Sequence, residues 1–180
     1  MTFRSLLLDR DGVVNIDHGY VGRIDRFVFV DGIFRLTRHA VDRGFRIAVV
    51  TNQSGIARGY FTEAEFQELT AWMQDRFLEQ GIALAGVFHC PYHRDALLPR
   101  YARNSFWRKP NPGMILEAAR RLDLDLSRSV FLGDQPTDMA AAQAAGVGQR
   151  ALLSEDGGRA AGTAATLTIR QPANLIPHLA

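Results

Sequence analysis

Cysteine is almost missing from this chain of 180 residues: Cys90 stands alone, so no internal disulfide can form and no cysteine-rich metal cluster can assemble. That scarcity leads us to expect a reducing, cytoplasmic setting. No apolar run approaches the roughly 20 residues that a membrane-spanning helix needs. The opening segment, MTFRSLLLDRDG, reaches charged residues after three leucines and lacks a signal-peptide cleavage pattern. With only 16 Gly and 7 Pro, the composition excludes collagen-like and low-complexity classes. Lysine is the most unusual shortage. Of 21 basic side chains, 20 are arginine and one is Lys109. An ammonium is a compact point charge that a planar guanidinium does not replace, which singles out Lys109 before any motif is considered. The arginines are spread along the chain without a basic block or interleaved aromatics, so no nucleic-acid partner is expected. The net charge of +2 and pI near 9.0 go instead with small anionic molecules.

What is present is a globular composition, 47% hydrophobic and 22% charged. The length suits one domain, 1–180, able to bury roughly 70% of its unfolded surface. Phe3–Asp9 and Phe45–Thr51 read as buried parallel strands, each ending in a polar residue. Between them Asp31–Arg43 has helical apolar spacing, with Asp31 as N-cap and Gly44 as terminator. Thr62 with Glu65 forms a capping box, and Phe66, Leu69, Met73 and Phe77 then share one helical face until Gly81. Leu84–His89 is a third strand, Asn111-Pro112 opens a helix to about Leu122, and Ser129–Leu132 is a fourth strand. An alanine-rich helix follows Asp138 to Ala145 and stops at Gly146. Gln149–Leu153 is a further strand, Gly157–Ala165 a loop, and Thr166–Arg170 an edge strand. The alternation predicts an α/β fold, a doubly wound, mainly parallel, Rossmann-like sheet without a large cap domain. Two long connections, 12–30 and 90–108, are expected to lie over the active site.

Three predicted strands end in Asp9, Thr51 and Asp134, and the carboxyl ends of strands in an open parallel sheet line the ligand crevice. Asp9, Asp11 and Asp134 would then converge, and their mutual repulsion calls for a cation; Mg²⁺, with its preference for oxygen ligands, answers that need. Lys109 and the Thr51 hydroxyl supply positive charge and hydrogen-bond donation from the other side. Such a set describes phosphoryl transfer by positioning and charge neutralisation.

The pieces Asp-Arg-Asp-Gly, Thr-Asn, Arg-Lys-Pro and Gly-Asp-x-x-x-Asp, in that order, resemble the haloacid dehalogenase-like phosphatases. The longer segments LDRDGVVNIDHGYVGRID, TNQSGIARGYFTEAEF, RKPNPGM and GDQPTDM are similar to the D-glycero-D-manno-heptose 1,7-bisphosphate 7-phosphatases over about Leu7 to Val147. The resemblance implies Asp9 as nucleophile forming an aspartyl-phosphate and Asp11 as acid, then base. It implies Asp9, the Asp11 carbonyl and Asp134 as Mg²⁺ ligands, Thr51 and Lys109 on the phosphoryl oxygens, and Asp138 as a support for Lys109 or the metal. It places Asp17, His18, Gly19, Tyr20, Asn52, Gln53 and Ser54 on the sugar and Arg108 on the distal phosphate. The implied substrate is a heptose bisphosphate in cytosolic synthesis of lipopolysaccharide-core precursors; a monomer is expected.

Relatives carry a structural zinc bound by a Cys, a His and a later Cys-x-Cys before the Arg-Lys-Pro segment. The matching positions here are Cys90, Tyr92, Ser105 and Trp107, and His89 and His93 are too close in sequence to converge as substitutes. Structural zinc takes about four good ligands. No zinc is therefore expected, and Tyr92, Leu97, Leu98, Tyr101, Phe106 and Trp107 are expected to pack the loop instead. Gln135 also departs from the family, which often has lysine there. The nearest rival is a histidinol-phosphate or other small phosphomonoester phosphatase. A phospho-receiver module would place its acidic pair ahead of a separate acceptor Asp, whereas here the Asp-x-Asp comes first, and an inactive interaction protein is disfavoured because no expected catalytic residue is missing.

Overall fold

The computed structural model describes residues 2–154 and 162–179. Six strands, β1 (Ser5–Leu8), β2 (Arg46–Asn52), β3 (Leu84–Cys90), β4 (Val130–Gly133), β5 (Gln149–Leu153) and β6 (Leu167–Ile169), form one sheet in the order β3-β2-β1-β4-β5-β6. Every pairing is parallel. Five α-helices accompany them: α1 (Ile33–Asp42), α2 (Ser54–Ala57), α3 (Glu63–Glu79), α4 (Gly113–Leu122) and α5 (Pro136–Ala144).

The central strands are apolar on both faces because both faces are covered. Leu6, Leu8, Ile47, Val49, Val130 and Leu132 meet Leu36 and Ala40 of α1 and Leu69, Met73 and Phe77 of α3. Leu7, Ala48, Val50 and Phe131 meet Met114, Ile115 and Ala118 of α4 and Met139 and Ala142 of α5. At ~25 cal/mol per Å² of apolar surface removed from water, these two interleaved layers supply most of the drive to fold. The chain builds β1, β2 and β3 outward on one side, then crosses to lay β4, β5 and β6 on the other. The order therefore reverses beside β1, and the crevice opens at that switch point.

Several boundaries differ from the sequence reading. β1 is shorter than Phe3–Asp9, because Phe3 makes only an isolated bridge with Leu124 and Asp9 has already left the strand. Asp31 does not cap α1. Gly32, at φ +81°, occupies the cap position without a side-chain bond. The Thr62–Glu65 capping box is present, the Glu65 amide donating to Thr62 Oγ1 at 3.1 Å and the Thr62 amide to Glu65 Oε2 at 2.7 Å. α5 begins before Asp138 rather than after it, with Pro136 in the first turn and the Asp138 carboxylate accepting the Gln135 amide at 3.0 Å. The one-turn helix α2 and a 3₁₀ segment at Pro172–His178 had no legible periodicity. The loop expected over 157–165 falls mostly outside the described residues. Within those residues, no helix is long and apolar enough to cross a membrane.

Candidate active site

β1 delivers Asp9 at its carboxyl end, where the Asp9 amide donates to the Leu132 carbonyl of β4 at 2.9 Å. β2 delivers Thr51, Asn52 and Gln53, and the β4–α5 turn delivers Asp134 and Asp138. Lys109 comes from the segment before α4 and is only 3% exposed. Its Nζ donates to the Val50 carbonyl at 2.9 Å and lies 2.9 Å from Asp9 Oδ1 and 2.7 Å from Asp138 Oδ1. Three acceptors at such distances saturate one ammonium, and a planar guanidinium would fit none of these directions. Asn52 locks the segment, accepting from the Lys109 amide at 3.0 Å and donating to the Lys109 carbonyl at 3.1 Å.

The carboxylates Asp9, Asp134 and Asp138 place one oxygen each within 4.8 Å of one another. Burial pushes the Asp9 carboxyl well above the ordinary carboxylate range against the pull of Lys109, and Asp138 and Asp134 add to the rise. Burial likewise lifts Asp134 from 3.8 to about 6, a hydrogen bond from Gln135 opposing it and Asp138 reinforcing it. Burial pulls the Lys109 ammonium down, yet Asp138 and Asp9 outweigh it and the net displacement is upward. Asp134 Oδ1 is buried without a hydrogen-bond partner among the described residues, while Oδ2 accepts from Gln135 Nε2 at 2.8 Å. An orphaned anionic oxygen beside two further carboxylates fits a hard divalent cation. Gly12 makes the approach possible, for at φ +84° an added Cβ would lie 2.3 Å from Asp134 Oδ2.

The third carboxylate of this cluster is Asp138, whereas the sequence reading put the Asp11 side chain there. Asp11 is turned to other donors. Arg10 Nη2 reaches its Oδ1 at 2.8 Å and Oδ2 at 3.0 Å, Asn15 Nδ2 reaches Oδ1 at 3.1 Å, and Gln53 Nε2 reaches Oδ2 at 2.8 Å. Asp138 serves at once as ion-pair partner of Lys109 and as cap of α5.

A cavity of about 420 Å³ opens over these groups, within the usual range of small-molecule sites, roughly 300–1,000 Å³. Asp9, Asp11, Asp17, Gly19, Tyr20, Asn52, Gln53, Ser54, Arg108, Lys109 and Asp134 line it, joined by Gln135, Thr137 and Asp138. Two expected residues do not. Thr51 lies beneath the floor, its Oγ1 accepting from Gln53 Nε2 at 2.9 Å. His18 is exposed and does not line the cavity, and its carbonyl accepts from Arg26. Arg108 borders both this cavity and an adjoining one of about 240 Å³ lined by His93, Arg94, Asn104, Ser105 and Asn111.

The 90–108 segment packs only in part as expected: Tyr92 and Tyr101 are half-buried against the core and Leu98 is half-buried, but the other three apolar residues are not. Leu97, Phe106 and Trp107 are 70%, 59% and 41% exposed. Beside that packing the segment is held by backbone bonds, Leu98 N to Ala57 O at 3.0 Å and His93 N to Tyr101 O at 3.2 Å, by the Tyr101 hydroxyl donating to Glu63 at 2.8 Å, and by Arg103 lying 3.6 Å over the Tyr92 ring. A connection that runs over the surface needs its polar backbone satisfied more than it needs a core. Cys90 is buried beside Ser105, His89 packs on the Phe66 ring at 4.3 Å and His93 Nδ1 accepts from the Asp95 amide at 3.0 Å; among the described residues neither histidine gathers with Cys90 into a cluster of metal-ligating side chains. The residues present do not fit a structural zinc.

The HAD-hydrolase-like family model matches residues 106–180. The chain is 46% identical to a D-glycero-alpha-D-manno-heptose-1,7-bisphosphate 7-phosphatase of Burkholderia mallei, covering 99% of this chain and 95% of that one. The chain belongs to this heptose bisphosphate phosphatase family, within the haloacid dehalogenase-like fold. A second member, named for the beta anomer, from Yersinia pestis, is 45% identical over 83% of this chain and 79% of its own length. Among solved structures, the D,D-heptose 1,7-bisphosphate phosphatase of B. bronchiseptica, complexed with magnesium and phosphate, superposes with a TM-score of 0.82 at 29% identity, covering 98% of this chain and 97% of that one. Arg10 and Gly12 went unmarked in the sequence reading. A charged residue locked between two motif aspartates was the available signal for the first, and a glycine directly after them for the second.

Proposed function

We propose that this protein hydrolyses the 7-phosphate of D-glycero-D-manno-heptose 1,7-bisphosphate, with Mg²⁺, through an aspartyl-phosphate on Asp9. The observation that carries this reading is the buried Asp9–Lys109–Asp138 cluster beside the orphaned Asp134 oxygen, at the floor of a cavity that Arg108 borders. Asp9, Asp134 and the Asp11 carbonyl are the residues that would hold Mg²⁺, which supplies charge neutralisation for the phosphoryl group when bound.

The Asp9 Oδ1 atom accepts from Lys109 and from the Arg10 amide at 2.7 Å, while Oδ2 accepts no hydrogen bond among the described residues and is the oxygen available for attack on phosphorus. As the bond from phosphorus to the sugar oxygen breaks, Asp11 gives that oxygen a proton. In the second half Asp11 takes a proton from water, which attacks the aspartyl-phosphate and releases phosphate and Asp9. Lys109 faces the transferring oxygens with its positive charge from the cavity floor, while Thr51, beneath that floor, braces Gln53 by accepting from its Nε2. Asp17, Gly19, Tyr20, Asn52, Gln53 and Ser54 hold the sugar, and Arg108 grips the distal phosphate with its planar fork. The segments 12–30 and 90–108 act as the cover of the site in place of a separate cap. We read the protein as a zinc-free, cytoplasmic monomer feeding lipopolysaccharide-core synthesis.

The test is phosphate release by purified protein with Mg²⁺ on both heptose bisphosphate anomers, histidinol phosphate and a sugar-phosphate panel, with Asp9→Asn as blank. A dominant kcat/KM for one heptose anomer is expected. Preference for another phosphomonoester would keep the mechanism and discard the substrate, and activity equal to the blank on every substrate would discard both. One equivalent of tightly held zinc after purification would overturn the zinc-free reading.

A further inference from the structure

Arg10 is 1% exposed and sits between the rings of Phe27 and Phe66, its guanidinium carbon 5.9 and 5.7 Å from their centroids. Its Nη2 touches both Asp11 oxygens, at 2.8 and 3.0 Å, and the Val21 carbonyl at 2.5 Å. Its Nε and Nη1 are buried with no hydrogen-bond partner among the described residues. For the fold alone this is a poor arrangement. A desolvated cation with two unpartnered nitrogens lowers stability, and an apolar side chain filling the same aromatic box would serve the core better. The return on that cost is at Asp11. Asn15 and Gln53 each hold one oxygen of its carboxylate, and among the described residues only Arg10 holds both. One Arg10 nitrogen centred on both oxygens, with Asn15 on Oδ1 and Gln53 on Oδ2, fixes the position and the plane of the carboxylate together. The same nitrogen ties that plane to Val21, the neighbour of Tyr20 on the cavity wall.

We propose that Arg10 is a positioning residue, which aligns the Asp11 carboxylate with the cavity wall and so sets the proton transfer to the leaving sugar oxygen. This rests on the reading of Asp11 as acid and base given above. Misplacing a general acid harms substrates whose leaving group needs a proton and spares those whose leaving group departs without one, whereas loosening of the fold harms both alike.

The experiment compares kcat/KM for heptose 1,7-bisphosphate, an alkoxide leaving group, with that for p-nitrophenyl phosphate in wild type, Arg10→Met, Arg10→Lys and Asp11→Asn. Arg10→Met is expected to lower the sugar-to-aryl ratio by about tenfold or more, part of the 10²–10⁴ that acid catalysis supplies. Arg10→Lys, which keeps the charge but not the rigid planar head seated between the Phe27 and Phe66 rings, is expected to fall between, by about threefold or more, and carries the test if Arg10→Met does not fold. Asp11→Asn should collapse the ratio furthest. If it does, while both folded Arg10 variants keep the wild-type ratio or lose both activities in parallel, the positioning role is refuted. If Asp11→Asn itself leaves the ratio unchanged, the assignment of Asp11 fails and the proposal with it.

Discussion

Asp134→Asn should make the metal-free protein more stable while destroying its use of Mg²⁺. The Asp134 carboxyl is lifted from 3.8 to about 6 chiefly by burial, which at ~1.4 kcal/mol per pH unit corresponds to about 3 kcal/mol. Below pH ~4 the group is protonated in both folded and unfolded chains and contributes nothing. Between ~4 and ~6 the unfolded chain ionises while the folded one keeps its proton, so stability falls as pH rises. Above ~6 the full penalty is present. An asparagine carries no such charge, although it disturbs the bond from Gln135 Nε2, a loss of about 1 kcal/mol. In EDTA at pH 7.5 the variant should therefore be about 2 kcal/mol more stable by urea unfolding, and toward pH 4, where the burial penalty is gone, it should be about 1 kcal/mol less stable. Millimolar Mg²⁺ should stabilise wild type and leave the variant unmoved, because a ligand stabilises only the state that binds it. A variant that is less stable than wild type at pH 7.5, or a difference that does not depend on pH, would refute this account of Asp134.

Lys109→Arg should lower kcat by at least about 10²-fold, the scale of losing one preorganised donor. The three acceptors at 2.7 to 2.9 Å leave no room for a planar fork, and steady-state assay of the folded variant checks it. Gly12→Ala, whose Cβ would stand 2.3 Å from Asp134 Oδ2 at φ +84°, should raise the Mg²⁺ concentration for half-activity by about tenfold or more. Arg108→Ala should raise KM for the bisphosphate by about tenfold, the loss of one charge-assisted contact, and leave KM for p-nitrophenyl phosphate within about twofold. Equal shifts for both substrates would remove Arg108 from the distal phosphate.

Much of the fold was legible because both sources of the signal are local. A strand buried on two faces must be apolar at consecutive positions, as Leu6, Leu7 and Leu8 are. A capped helix announces itself in four residues, as Thr62 and Glu65 do. The polar termini of β1, β2 and β4 followed, and with them Asp9, Asp134 and the lone Lys109 at one crevice. Less legible was the 90–108 segment, where Leu97, Phe106 and Trp107 stay in solvent, because a loop is held by backbone bonds that any residue can make.

The sequence alone determined which groups could do chemistry here, since residue type at the end of a strand decides what meets in the crevice. Only the tertiary structure decided how they pair. It put Asp138 rather than the Asp11 side chain third in the carboxylate cluster, left His18 outside, and set Thr51 below the floor. It also buried Arg10 against Asp11. The reason is physical: a carboxylate turns toward whichever donors are within about 3 Å, and those donors arrive from Asn15, Gln53 and Arg10 only once the loop after β1 has folded back beside β2.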